Sequence, residues 1–334
     1  MSKISIALGT YNGAEFLGAQ LESFRAQTRS PDELVVTDDC STDETAKIVE
    51  NFARSVAFPV KFQRNPRNLG STRNFAEAIA LCTGDLIFLS DQDDVWQPRK
   101  IEKIAAEFEN NVSLGFIFSD ADLVDENLAP LDVKLCDLTF NEKFRHLKTS
   151  RELLELLLPR NYITGATLAF RREYREYFLP FPLDIPEMIH DGWICLVIAA
   201  QAEFLFLEET LVKYRQHGRQ QLGVIFSDEF GGNKFEQMTT ALRVLRTERE
   251  RIEKIKREFY RNEKLASQAA AVGELCDKYL ARIAGRIAHY EARTNLPAPK
   301  IKRAAAVLRE LKSGRYGKYS KGFLSAIKDF AADY

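Results

Sequence analysis

The chain has 334 residues, 45% hydrophobic and 28% charged, with a net charge of −1 at neutral pH. That length holds one large domain, or one domain and a smaller one, and the near-neutral balance argues against a nucleic-acid partner. No apolar run approaches the roughly 18 residues a membrane-spanning helix requires; the longest candidate is "WICLVIAA".

The N-terminal "MSKISIAL" enters a strand pattern at once, without the layout of a secretory signal. "KISIALGT" predicts a first strand and "AEFLGAQLESFRAQ" a helix after it. "DELVVTDD" is followed by "STDETAKIVENFARS", where Ser41 or Thr42 is placed to cap the helix. "VKFQRN" is followed by "GSTRNFAEAIALC", and "GDLIFLSD" by "QPRKIEKIAAEFEN". Strand–helix alternation at this spacing predicts βαβ units around a mostly parallel sheet. From 114 to 225 the pattern is mixed, with strands at "LGFIFSDADLV", "ATLAFRR" and "EFLFLEETLVKYR" and a helix at "GWICLVIAAQ".

Beyond Gly231–Gly232 the character changes to long charged helix. Phe235, Met238, Leu242, Leu245 and Ile252 recur at spacings of three and four, one buried stripe. A helical hairpin packed on the preceding domain suits this stripe. A homodimeric coiled coil through these helices is the alternative, although Arg249 interrupts it. The expected domains are therefore 1–230, with a change of pattern between about 113 and 114, and 231–334, a helical extension. Five scattered cysteines, odd in number and never in a CxxC pair, predict reduced thiols in a cytoplasmic protein.

In open sheets with βαβ connections, ligands bind beyond the carboxyl ends of the strands. The polar clusters Thr10 to Asn12, Asp38–Asp39, Asn65 to Arg73 and Asp91 to Asp94 all fall there. The last cluster puts three carboxylates within four residues, where each raises the pKa of the others. An EF-hand is excluded because Val95 and Trp96 interrupt the required oxygen ligands. A carboxylate cluster at a strand end suits Mn²⁺ or Mg²⁺ held together with substrate phosphates; a solvated acidic loop is the alternative.

Four segments in order, "ALGTYNGAEFLGAQLESFRAQT", "ELVVTDDCSTDET", "RNPRNLGSTRNFAEAI" and "DLIFLSDQDDVWQP", resemble the family 2 glycosyltransferases of the GT-A fold over roughly residues 3 to 220. "MIHDGW", "LVKYRQHGRQQLG" and "SGRYGKYSKGFLSAIKDF" look like its bacterial rhamnosyltransferase-like branch. The resemblance implies an α/β fold with a mostly parallel central sheet flanked by helices, and a C-terminal helical extension. It also implies a UDP- or dTDP-sugar donor and a glycan or lipid-linked saccharide acceptor.

By the same resemblance, Thr10 and Tyr11 flank the base, and Asp39 accepts a hydrogen bond from the imide N–H of uracil or thymine, a donor cytosine lacks. Asp38 has a helix-capping alternative. Arg73 suits a phosphate or ribose contact. Asp91-Gln92-Asp93 matches the DxD signature: Asp91 holds ribose or sugar, Gln92 lies beside it, and Asp93 or Asp94 reaches the cation. Asp191 matches the catalytic base, with a helix N-cap as its alternative. Arg215, Gln216 and His217 are candidates for the diphosphate or the metal, and His217 is taken as a third metal ligand. Trp96 is expected to pack beneath the acidic loop and Asn68 to shape the turn before Gly70.

Residues 300–328 carry nine Lys or Arg against one acid, Glu310, so this segment is +8 and the remainder −9. Arg315, Lys318 and Lys321 are interleaved with Tyr316, Tyr319 and Phe323, a pattern for an anionic membrane surface; a solvated basic helix is the alternative. Two other functions compete. A sugar-phosphate nucleotidyltransferase would need a basic Gly-rich loop after the first strand, and "GTYNGAEF" has no Lys or Arg. A catalytically inactive carbohydrate-binding homologue is opposed by the intact Asp39, Asp93 and Asp191.

Overall fold

The computed structural model describes residues 1–139, 146–218, 220 and 234–331. The side chain of Phe235 and the expected boundary between 230 and 231 lie outside the described residues. Two compact units are present: one contains all the strands, and the other contains the long C-terminal helices together with Asp184–Pro186.

The first unit opens with strand β1 (Ile4–Thr10), helix α1 (Leu17–Arg25), β2 (Glu33–Asp38), α2 (Thr45–Ala53), β3 (Val60–Arg64), α3 (Ser71–Leu81) and β4 (Leu86–Ser90). These strands lie in the order β3-β2-β1-β4, all parallel. Parallel sheets are covered on both faces, so their strands read as continuous apolar runs rather than alternating ones. Accordingly Leu86, Ile87, Phe88 and Leu89 are all fully buried, each removal from water contributing about 1.5–3 kcal/mol. All four strands end at the same edge, which brings Thr10, Asp38 and Ser90 together.

The short β5 (Val95–Trp96), α4 (Lys100–Asn110), β6 (Leu114–Val124), β7 (Pro130–Lys134) and α5 (Leu135–Thr139) follow. Next come α6 (Ser150–Leu157), β8 (Leu168–Arg171), α7 (Arg175–Phe178), α8 (His190–Ala199) and β9 (Glu203–Arg215). The sheet continues β4-β8-β6-β9-β5. β8 is antiparallel to both β4 and β6, while β6 and β9 are parallel. The parallel expectation thus holds for the N-terminal half, and the whole sheet is mixed. α8 is buried along its full length, as befits a helix apolar nearly all round.

One expected cap is absent. α2 starts at Thr45, after Glu44. Ser41 Oγ instead donates to Asp38 and accepts from the Asn12 N–H, so the loop and not the helix takes that hydroxyl.

In the second unit, α9 (Lys234–Arg261) and α10 (Ala266–Thr294) form a hairpin, with α11 (Lys300–Lys312), α12 (Arg315–Tyr319) and α13 (Phe323–Ala331) after it. Leu242 and Leu245 of α9 pack on Ile283 and Ile287 of α10. The stripe a coiled-coil dimer would use at these positions is therefore covered within the chain.

Candidate active site

At the end of β1, Thr10 Oγ1 donates to Asp38 Oδ1 at 3.0 Å. The fully buried Asp38 also accepts from the Ser41 backbone N–H at 2.9 Å. Its carboxylate is thus committed to fastening β1 and the loop after β2, and it caps no helix, since α2 starts only at Thr45. Tyr11 is exposed. Gln92 grips its backbone from both sides: Tyr11 N–H donates to Gln92 Oε1 at 2.9 Å and Gln92 Nε2 donates to Tyr11 O at 3.0 Å. Gly13 makes this clamp possible, because a Cβ there would stand 2.1 Å from Gln92 Oε1.

Asp39 is buried and already holds the next loop. Its Oδ1 accepts from Asn65 Nδ2 at 3.0 Å and Leu69 N–H at 2.7 Å, and its Oδ2 accepts from Gly70 N–H at 2.8 Å. A carboxylate has about four acceptor positions, so Oδ2 retains room for one further donor. Asn68 Oδ1 also accepts from Gly70 N–H, shaping the turn as expected. Arg73, in the first turn of α3, is exposed and its guanidinium has no partner among the described residues.

The acidic triplet divides. Asp94 is fully buried; its Oδ1 accepts from Arg215 N–H at 3.0 Å and its Oδ2 has no partner. Burial and the neighbouring Asp93 and Asp91 push its pKa well up. Asp93 instead meets His217, Oδ2 to Nε2, at 3.0 Å. The His217 ring packs on Phe16 at 4.6 Å, and the Arg215 guanidinium lies over the same Phe16 ring. Asp91 is pushed up to about 8, first by burial, then by the charges of Asp93 and Asp191. Below the cluster, Lys100 is fully buried with Nζ donating to Ala166 O at 2.6 Å and lying 3.9 Å above the Trp96 ring. Burial lowers its pKa to about 7 against the opposing pull of Asp94 and Asp91. Trp96 itself is buried and packs edge-on against Phe24, beneath the loop.

Asp191 lies in the first turn of α8, but the N-cap position belongs to Ile189. Its carboxylate reaches across to another segment: Oδ1 accepts from Asn161 Nδ2 at 2.8 Å and Oδ2 from Gly165 N–H at 3.0 Å. Oδ1 also accepts from the adjacent Gly192 N–H at 2.6 Å. Gly192 permits the approach, since a Cβ there would meet Asn161 Cγ at 3.0 Å. His190 is buried, stacked on Phe75 at 4.1 Å, and burial lowers its pKa to about 3, so it is neutral at ordinary pH.

The family model for glycosyl transferase family 2 matches residues 5–178, just over half of the chain. The chain belongs to this family. An uncharacterised glycosyltransferase of Nostoc sp. is 29% identical over 222 residues, 65% of each chain. An uncharacterised protein of Mycobacterium tuberculosis is 29% identical over 224 residues, 65% of this chain and 59% of the relative. The chain thus spans about 60–65% of the length of these curated relatives. Among solved structures, S. aureus TarS residues 1–349 in complex with UDP-GlcNAc superposes with a TM-score of 0.55 at 16% identity, covering 98% of this chain and 91% of that one. That likeness shows the GT-A fold.

Within this family 2 fold, the residues fit a divalent cation unevenly. Adjacent ligands on an octahedral ion at about 2.1 Å stand about 3.0 Å apart, which is the Asp93–His217 separation. Asp94 is fully buried, its Oδ1 taken by the Arg215 N–H and its Oδ2 without a partner. No group of three or more His, Cys, Asp or Glu able to hold an ion occurs among the described residues. Such an ion would therefore need phosphate oxygens to complete its shell. All five cysteines are free thiols.

Two side chains at the site were not singled out in the sequence. Asn161 lies in "RNYITG", a loop pattern that announces no contact 30 positions away. Lys100 opens α4 in "PRKIEK", which reads as a solvated first turn; its burial follows from the tertiary packing of Trp96 and Ala166 around it.

Proposed function

We propose that this family 2 protein is an inverting, cation-dependent glycosyltransferase that moves a sugar from a UDP- or dTDP-sugar to a hydroxyl of a glycan or lipid-linked saccharide. The supporting observation is that Asp191 and Asp91, a hundred positions apart, share one acidic locality, close enough that Asp191 helps to raise the Asp91 pKa. This proximity supports reading Asp191 as the base that works beside the donor-side aspartates.

In this reading Tyr11 and Thr10 border the base, the spare acceptor position of Asp39 takes the imide N–H, and Arg73 contacts phosphate or ribose. Asp91 orients the ribose or sugar, and Gln92 fixes the Tyr11 backbone. A divalent cation on Asp93 and His217, Mn²⁺ in preference to the harder Mg²⁺ because of the imidazole, supplies charge neutralisation for the leaving diphosphate. Asp191, oriented by Asn161 and Gly165 N–H, takes the acceptor hydroxyl proton. The acceptor oxygen bonds to the anomeric carbon on the face opposite the nucleotide, the bond from that carbon to the phosphate oxygen breaks, and the configuration inverts. Proton acceptance requires Asp191 to be ionised.

The finer choice we propose is dTDP-rhamnose as donor, with synthesis of a bacterial surface polysaccharide at the cytoplasmic face of the membrane as the setting. Thermal shift with UDP-, dTDP-, GDP- and CDP-sugars, with and without Mn²⁺, tests the donor class. The expected result is preferential stabilisation by UDP or dTDP compounds, larger with Mn²⁺. Preference for CDP compounds would remove the imide role given to Asp39.

A further inference from the structure

α13 is built inside out. Its inward side carries Ser325, Ala326 and Asp329, and Asp329 is committed to Arg293 at 2.6 Å and to Tyr316 OH at 2.8 Å. Its outward side carries Phe323 (68% exposed), Leu324 (65%), Ile327 (48%) and Phe330 (43%). At about 100° per residue these four fall within one arc of roughly 120°, with Lys328 at its margin.

The charge around this arc is one-sided. The described acids of residues 300–331, Glu310 and Asp329, are both buried and paired, Glu310 with Arg315 and His289 and Asp329 with Arg293. Lys318, Lys321 and Lys328 are exposed and form no ion pair among the described residues. The basic segment thus hides its anions and shows its cations. The interleaved pattern read from the sequence is corrected here: Tyr316 is 1% exposed and Arg315 is paired with Glu310, so neither is free to meet a headgroup.

We infer that the exposed face of α13 lies in the plane of an anionic lipid surface, with Phe323, Leu324, Ile327 and Phe330 entering the headgroup–acyl boundary and Lys318, Lys321 and Lys328 meeting lipid phosphates. An in-plane helix needs both an apolar face and a cationic margin, and α13 has both. A second copy of this chain would bring the same cations together and repel itself, which disfavours it as the occupant.

Flotation of the full chain with vesicles of phosphatidylglycerol and phosphatidylcholine, against phosphatidylcholine only, tests this without any transfer assay. The wild type is expected to float with the anionic vesicles and sediment with the neutral ones. The triple variants F323S/L324S/I327S and K318Q/K321Q/K328Q, all at exposed positions, are expected to lose at least about tenfold in floated protein while keeping the wild-type melting temperature. Wild type that stays at the bottom with anionic vesicles overturns the inference, as does either variant floating like wild type. A lipid-free dimer that F323S/L324S/I327S converts to monomer overturns it in favour of self-association.

Discussion

His217 Nε2 and Asp93 Oδ2 stand 3.0 Å apart although 124 positions separate them in the chain. β9 delivers His217 just past its last residue, Arg215, and the turn after β4 delivers Asp93. Arg215 locks the two together, its Nε donating to Asp93 O at 2.6 Å and its N–H to Asp94. If the pair grips the cation, His217→Ala lowers the apparent affinity for Mn²⁺ by about 10–100-fold, read from activity as a function of Mn²⁺ concentration. An unchanged Mn²⁺ midpoint would reduce His217 to a partner for the Phe16 ring.

Asp191→Asn keeps the shape of the side chain and removes its proton-accepting charge. The expected loss in kcat is about 10²–10⁴-fold, with binding of the nucleotide-sugar unchanged in calorimetry. Asn161→Ala leaves the carboxylate in place but frees its orientation, so a smaller fall in kcat, about tenfold, is expected with KM for the donor retained. A variant that instead weakens donor binding would move Asp191 from the acceptor side to the donor side.

Gly13→Ala tests the clamp on Tyr11. The added Cβ displaces the Gln92 carboxamide, and the exposed Tyr11 backbone then turns to water at little cost in stability. Donor affinity is expected to fall about tenfold while the melting temperature changes by no more than a few degrees. Unaltered affinity would show that the base is held without the Tyr11 turn.

The pH dependence of stability carries a sign that can be worked out. The folded-state pKa of Asp91, about 8, lies above the ordinary value of 3.8. Between these values the folded chain binds more protons than the unfolded one, so this group's contribution is full below about pH 4 and is lost as pH rises through 8. Asp91→Asn cannot ionise. In chelator, its melting temperature relative to wild type is therefore expected to climb steadily from pH 4 to 8; a pH-independent difference would contradict the raised pKa of Asp91.

The two halves of the sheet differ in how openly the sequence declares them. β1, β2 and β4 announce themselves as apolar runs followed by polar clusters, because a parallel strand inside the sheet is covered on both faces, whereas the edge strand β3 mixes apolar and charged residues. The direction of β8 had no such signal. "ATLAFRR" reads as a strand, but nothing local states that it enters antiparallel between β4 and β6, since that depends on partners more than fifty residues away. α13 shows a related limit: the apolar stripe of "FLSAIKDF" is legible in the sequence, but the direction it faces is not. The demand of Arg293 and Tyr316 for Asp329 turned the stripe outward.

The sequence by itself determined the residue types on the loops after β1, β2 and β4, and the order in which they come, because strand period and turn chemistry are local properties. Tertiary structure decided which of those side chains act together. It buried Asp94 and left Asp93 beside His217, it gave Asp191 the amide of Asn161, and it slid Lys100 under the acids. Carboxylates and amines are costly to bury and so can be placed only where distant segments supply donors and countercharge, and distance along the chain carries no record of that supply.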